Sequence, residues 1–178
     1  MKQKFTILLA AVFSLTLAAS NANAGENIAV LDIEKIAKES KAVHDIQNKV
    51  TKKQDEFQKE ITKKQESLEA EQKKLEAKKN ILSKEAFEKE QKVFEKKIDD
   101  LKTFVEKKQN SLKKASADSM SQVNDKMKDI ISEVAKEKEL TLILPSSQIV
   151  YSSDNSDISA EVLERLNKKI TKVNVKFD

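Results

Sequence analysis

From Lys41 to Lys138 the chain carries neither glycine nor proline, and its apolar residues return every three or four positions. That spacing is helical. Lys52-Lys53, Lys63-Lys64, Lys73-Lys74 and Lys78-Lys79 alternate with glutamates along it, so a helix this long and this charged cannot be wrapped inside a globular core. It has to stand out as an arm, a spacer or a clamp. Within it Ile61, Leu68, Leu75 and Leu82 recur at sevens, with Val50 and Phe57 as a companion series, while Phe87, Phe94, Leu101, Val105 and Leu112 interleave with Ile98. These are heptad stripes.

Folding the chain back at Ile81 sets Leu75 against Phe87, Leu68 against Phe94, Ile61 against Leu101, Phe57 against Val105 and Val50 against Leu112. Around that point Asn80 can end one helix and Ser83 can N-cap the next, with Glu85 in its first turn. An antiparallel hairpin over 41–138 with its turn near 80–83 follows. The rival is one unbroken helix in an elongated dimer, because the turn holds no glycine or proline. Near the tip the companion series becomes Lys64, Glu71 and Lys78, which leaves one apolar residue per heptad, too thin for a tightly zipped coil. Lys73, Lys74, Lys78, Lys79 and Lys84 stand there against Glu76 alone, a local charge of +4. The cluster is either a basic capture surface or a solvated lysine face. Past Ser119 the stripe slips by one residue and resumes as Val123, Met127, Ile130 and Val134, which implies a different partner towards the root.

The two ends of the chain read as a small body over 25–40 and 139–178. Asn27-Ile28-Ala29-Val30-Leu31 suits a buried strand, after which Asp32 can cap a helical turn through Ile33 and Ile36. Leu140 to Leu144 and Gln148 to Tyr151 flank Pro145-Ser146-Ser147 and read as a hairpin. Ser159 is placed to N-cap a last helix, with Ile158 stapled to Leu163 and with Leu163, Leu166 and Ile170 as its buried stripe. Three short strands and two short helices offer little core for one chain. The expectation is an oligomer that shares a β-rich body through Ile28, Val30, Leu142, Leu144, Val150 and Tyr151, with an arm rooted on each subunit. The fold class is α+β, mostly α.

Residues 1–24 have the pattern of a secretory signal peptide: Lys2 and Lys4, an apolar stretch from Ile7 to Ala19, then Ala22-Asn23-Ala24 for cleavage before Gly25. The apolar stretch is about a dozen residues, short of the roughly 20 a spanning helix needs. Cleavage removes Lys2 and Lys4 and lowers the formal net charge from +4 to +2. The destination is an exported compartment, most simply a bacterial periplasm. No cysteine is available for disulfides there.

Composition also excludes functions. Gly25 is the only glycine, so no phosphate-cradling loop or dinucleotide fingerprint exists and no use of ATP is readable. His44 is the only histidine and cysteine is absent, so a zinc site or a Cys/His or Ser/His nucleophile lacks most of its parts. An enzyme is not expected, nor is a cofactor. Arg165 is the only arginine among 34 basic residues, which with export and few free aromatics argues against nucleic acid as a partner.

Taken together, Ile28-Ala29-Val30-Leu31-Asp32, the lysine-rich hairpin, Leu140 to Leu144 leading into Val150-Tyr151, Asp157-Ile158-Ser159 and Val162-Leu163-Glu164-Arg165-Leu166-Asn167 resemble the Skp/OmpH family of periplasmic chaperones for outer-membrane proteins. Pro145 departs from the pattern expected in relatives. The resemblance implies a homotrimer with a β-rich body and helical tentacles. It implies ATP-independent holding of unfolded outer-membrane proteins in the cavity between arms, and handover to the outer-membrane insertion machinery. Phe57, Ile61, Leu68, Leu75, Phe87, Phe94, Ile98 and Leu101 would line the arm seam or bind the client. The lysine tip would meet acidic clients, anionic lipid or lipopolysaccharide. The competing class is a coiled-coil spacer or tether of the cell envelope that holds no client.

Overall fold

A computed structural model describes residues 27–178, so the leader read at 1–24 lies outside the described residues. The elements are β1 (Ile28–Leu31), α1 (Ile33–Glu39), α2 (Lys41–Lys78), α3 (Lys84–Glu137), β2 (Leu142–Pro145) and α4 (Ser159–Lys169), with 3-10 turns at Ser146–Gln148 and Asp154–Ser156. β1 and β2 pair in parallel, Ile28 opposite Leu142 through Leu31 opposite Pro145. A parallel pair needs a long crossover, and here the crossover is the whole of α1, α2 and α3.

Side-chain caps set the breaks. Asp32 accepts the Lys35 N–H at 2.8 Å and starts α1, and Ser40, fully buried, accepts from Val43 and starts α2. Ser83 accepts from Ala86 and starts α3, with Glu85 in the first turn. α2 ends at Lys78 and α3 returns antiparallel to it. The unbroken-helix alternative does not occur.

The predicted hairpin across Pro145 is absent. Pro145 closes β2 instead, its ring at φ −69° leading into the 3-10 turn, and Val150 and Tyr151 form no strand and are fully exposed. A proline cannot donate to a ladder and is tolerated where β2 is an edge. β1 gains its second neighbour from Asp157, which bridges Val30, with the Ile158 N–H bonded to the Val30 carbonyl at 3.0 Å. The predicted cap of α4 also shifts. Ile158 holds the cap position, the Asp157 carboxylate accepts the Ser159 N–H at 2.7 Å, and the Ser159 hydroxyl accepts the Asp32 N–H at 2.7 Å. Ser159 thus ties the end of β1 to the start of α4. The buried stripe of α4 is Val162 and Leu166 below Ile158, with Leu163 and Ile170 only half-buried.

The core is larger than the chain ends alone provide. Ala29, Leu31 and Ile36 pack with Val162 and Leu166, and the roots of the arm add Ala42, Val43 and Ile46 from α2 and Val123, Ile130 and Val134 from α3. The body therefore borrows several turns of each long helix, and the shortage of core expected of one chain is partly met. Arg165 fastens the same corner, its guanidinium donating to both Glu137 carboxylate oxygens and to Glu161. Those hydrogen bonds raise the guanidinium pKa further and lower that of Glu137.

α3 ends in a Schellman motif, with Leu140 N–H on the Ala135 carbonyl at 2.8 Å and Glu139 N–H on Lys136 at 3.3 Å. The residue that must turn left-handed is Glu139, at φ 52°, where glycine is favoured and other L-residues lose roughly 1 kcal/mol or more. Glu139→Gly is expected to raise the thermal midpoint by about 2–4 °C at fixed protein concentration. An unchanged or lower midpoint in calorimetry would show that the glutamate side chain offsets the strain.

Asp157 gives the body an acid limit. Hydrogen bonds from Ser159 hold its carboxyl below the ordinary 3.8. A depressed folded pKa contributes stability that is present above 3.8 and is lost as pH falls through that value towards the folded pKa. Asp157→Asn is therefore expected to lower stability at neutral pH and to flatten its decline between neutral pH and acid, measured by urea unfolding across pH.

Candidate functional site

The arm is the extended surface of this molecule, and its packing changes along its length. At the proximal end Phe57 is 3% exposed. The Lys108 ammonium lies 4.2 Å from the Phe57 ring centre and 5.1 Å from that of Phe104, while Lys53 stacks on Phe57 and Lys64 on Phe104 at 5.0 and 4.9 Å. The aromatic rings are covered by lysine stems whose charges remain near solvent. Ile61, Leu68, Leu75, Phe87, Phe94 and Leu101 are all only half-buried.

Beyond Phe57 the helices are joined by ion pairs: Lys108 with Glu60 at 3.7 Å, Lys97 with Glu71 at 2.5 Å, and Lys78 with both oxygens of Glu90 at 2.9 and 2.8 Å. Such half-exposed pairs contribute roughly 0–1 kcal/mol each, far less than a filled apolar layer. Open hollows lie between them. One of about 350 Å³ is lined by Leu75, Val93 and Phe94 with Lys74, Lys78 and Glu90. The next, about 310 Å³, is lined by Leu68, Leu101 and Phe104 with Lys64 and Asp100.

The seam register differs from the mirror pairing about Ile81. Each ion-pair partner on α3 lies six positions beyond the mirror image of its α2 residue, and Leu75 shares its hollow with Phe94 and Leu68 with Leu101. Side chains lean towards the N-terminus of their own helix, so in an antiparallel pair those of α2 lean to the root and those of α3 to the tip. That lean accounts for about two of the six positions, and the rest moves the centre of the hairpin from Ile81 towards Ser83. The companion stripe of α3 is also moved by one residue: Lys97, Phe104 and Ser111 face α2 or the root, while Ile98, predicted in the seam, is 46% exposed. Phe104 is the seam aromatic that the heptad reading missed, although it stands seven residues after Lys97 and seven before the buried Ser111.

At the tip Lys78 is held by Glu90, whereas Lys73, Lys74, Lys79 and Lys84 are exposed and make no ion pair among the described residues. Ile81 crowns the turn at 81% exposure. In the body, Ile28 and Leu142 are register partners on one face of the sheet and both are exposed, Leu144 is half-buried, and Val30 is already buried within the chain. The outer edge of β2 is unpaired among the described residues. No helix of the described residues is long and apolar enough to cross a membrane.

A small parallel strand pair whose crossover is a protruding antiparallel helical hairpin, open along its outer half, makes the arm the defining feature of the fold. The chain belongs to the family described as Outer membrane protein (OmpH-like), whose sequence profile matches residues 27–166. Its fold is similar to the crystal structure of a candidate outer membrane chaperone (OmpH-like) from Caulobacter crescentus CB15, with a TM-score of 0.79 and 16% identity, covering 85% of this chain and 90% of that one. No protein among curated sequences matches it.

The contrast along the arm is measurable. Phe57→Ser is expected to cost about 3 kcal/mol as a buried aromatic truncation, whereas Ile98→Ser on the exposed face should change stability by less than about 0.5 kcal/mol. Urea unfolding of the two variants followed by circular dichroism decides this, and equal losses would return Ile98 to the seam.

Proposed function

We propose that this chain is an ATP-independent holdase that binds unfolded outer-membrane β-barrel proteins and keeps them from aggregating before membrane insertion. It acts without catalysis, in the periplasm, after removal of residues 1–24. Membership of the OmpH-like family supports the chaperone class. The observation that carries the holding mechanism is the outer half of the arm, where Leu68, Leu75, Val93, Phe94 and Leu101 border open hollows and Ile98 faces outward.

An unfolded barrel precursor exposes alternating apolar side chains and unpaired strand edges. Half-buried apolar surface beside exposed lysines offers such a chain many weak contacts, each worth only roughly 25 cal/mol per Å² of apolar area covered. The arms of a homotrimer around one cavity would present those contacts at high effective concentration. Ile28, Leu142, Val150 and Tyr151, exposed in the single chain, and the free edge of β2 supply the surface for that trimer. The four unpaired tip lysines would speed capture of acidic clients or approach to anionic lipid, including lipopolysaccharide, and the client would pass from the cavity to the outer-membrane insertion machinery.

Dilution of a urea-denatured outer-membrane barrel protein into buffer without nucleotide tests the reading. With equimolar trimer, light scattering is expected to stay near baseline. Aggregation at the unassisted rate would leave the chain a spacer or tether. Changing Lys73, Lys74, Lys79 and Lys84 to glutamate should slow capture at low salt while leaving the oligomer intact.

A further inference from the structure

The segment after α4, Ile170 to Asp178, lies beyond the 27–166 matched by the family and is not helical. It runs back along the root of the arm. The Val173 N–H donates to Asp45 at 2.9 Å and the Val173 carbonyl accepts from the Lys49 ammonium at 2.7 Å. Asn174 and Lys176 then lie beside Asp118, Ser119 and Gln122 of α3, and the Asp178 carboxylate reaches Lys114 at 2.8 Å. Burial alternates along this strap: Val173 is buried and Val175 and Phe177 are half-buried, while Asn174, Lys176 and Asp178 face solvent.

Period-two burial is the signature of an extended chain lying on a surface. The surface beneath it is one that an extended chain can use. Its α3 side presents the buried small residues Ser111, Ala115 and Ser119, which let a backbone approach closely. Past the end of the strap it continues into a hollow of about 570 Å³ lined by Phe104, Lys107, Lys108, Asn110 and Ser111 with Lys114 and Asp178. The Ser111 hydroxyl on that hollow is 93% buried with its residue and has no hydrogen-bond partner among the described residues, in a place where buried polar groups are normally paired.

We propose that the root of the arm is a docking surface for extended polypeptide whose apolar residues alternate, and that the strap is its displaceable resident. The occupant is a strand of an unfolded outer-membrane barrel protein, whose lipid-facing residues alternate in the same way, so the inference rests on the holdase reading. It would take the place of Asn174 to Asp178 beside Asp118, Ser119 and Lys114 while Val173 stays in the core on Asp45 and Lys49, and its polar end would extend to Ser111 and the lysines of the hollow. A resident competitor lowers apparent affinity by the fraction of time the surface is covered.

Two variants separate the outcomes, with a labelled denatured outer-membrane barrel protein as the probe in both. Val175→Ser with Phe177→Ser weakens the strap while keeping Val173 in the core. Asp118→Cys with Lys176→Cys, joined by a reducible bifunctional thiol crosslinker, holds it in place, and the absence of other cysteines makes that reaction specific. The released variant is expected to bind about three- to tenfold more tightly and the locked one about tenfold more weakly than wild type, with reduction restoring affinity. Hydrogen exchange at Asn174 to Asp178 should speed up when wild type binds client. Wild-type protein that holds client while locked, reduced and released forms all bind within twofold of it overturns the docking surface alone. Wild-type protein that holds no client overturns the holdase reading and this inference together. Should the released variant unfold, the locked and reduced pair still decides.

Discussion

The parallel pairing of β1 with β2 is the constraint on which the rest depends. Four residues near the start of the described chain align with four that follow α3, and a parallel ladder cannot be closed by a tight turn. The hairpin is therefore not an appendage attached to a finished domain. It is the connection that makes the sheet possible, and its two ends are forced to leave and re-enter within one strand spacing. That is why Ala42, Val43 and Ile46 of α2 and Ile130 and Val134 of α3 belong to the same core as Ala29 and Leu31. Damage to the sheet should reach the arm roots, whereas loosening of the tip need not reach the sheet.

Along the arm the balance of forces reverses with distance from the body. At the root, burial of branched aliphatic residues fixes geometry. From Phe57 outward, lysine stems over aromatic rings and half-exposed ion pairs take over, and these are weak and sensitive to ionic strength. A seam built this way keeps the helices together without sealing the surface between them. The half-buried side chains that remain are available to another chain at little cost in lost packing, a property that a tightly zipped coil would not have.

How much of this was legible in the sequence depends on range. Caps are local, so Asp32 and Ser83 could be read directly from residue type and the three positions that follow. The hairpin was legible because its heptads converge on a turn that a serine could cap. The register was not, since heptad spacing fixes which face is apolar but leaves open how antiparallel side chains lean past one another. Ile98 was misplaced because the companion stripe of α3 runs one residue earlier, through Lys97 and Phe104. The hairpin across Pro145 failed because strand propensity in Gln148 to Tyr151 does not supply a partner, and β1 was bound elsewhere. The strap escaped notice although Val173, Val175 and Phe177 alternate plainly with polar residues. The exposed apolar residues of the body carry the oligomer argument better than the size of the core does, because the arm roots fill much of that core.

The strap and the loose seam bear on the same physical difficulty. A protein that holds unfolded chains without nucleotide has no chemical step with which to release them, so holding must consist of contacts that are individually weak and can be exchanged. On the proposed reading the outer arm would meet this by leaving apolar side chains half-covered. A root groove of small residues, left bare, would expose Val173's neighbours and the Ser111 hydroxyl to any extended chain. Covering it with a segment tied by Asp45, Lys49 and Lys114 would lower its effective affinity. On this view the charges that fasten the strap set how readily the root groove enters the exchange, and the alternation of Val175 and Phe177 with polar residues is the pattern that would make the strap replaceable by a barrel strand.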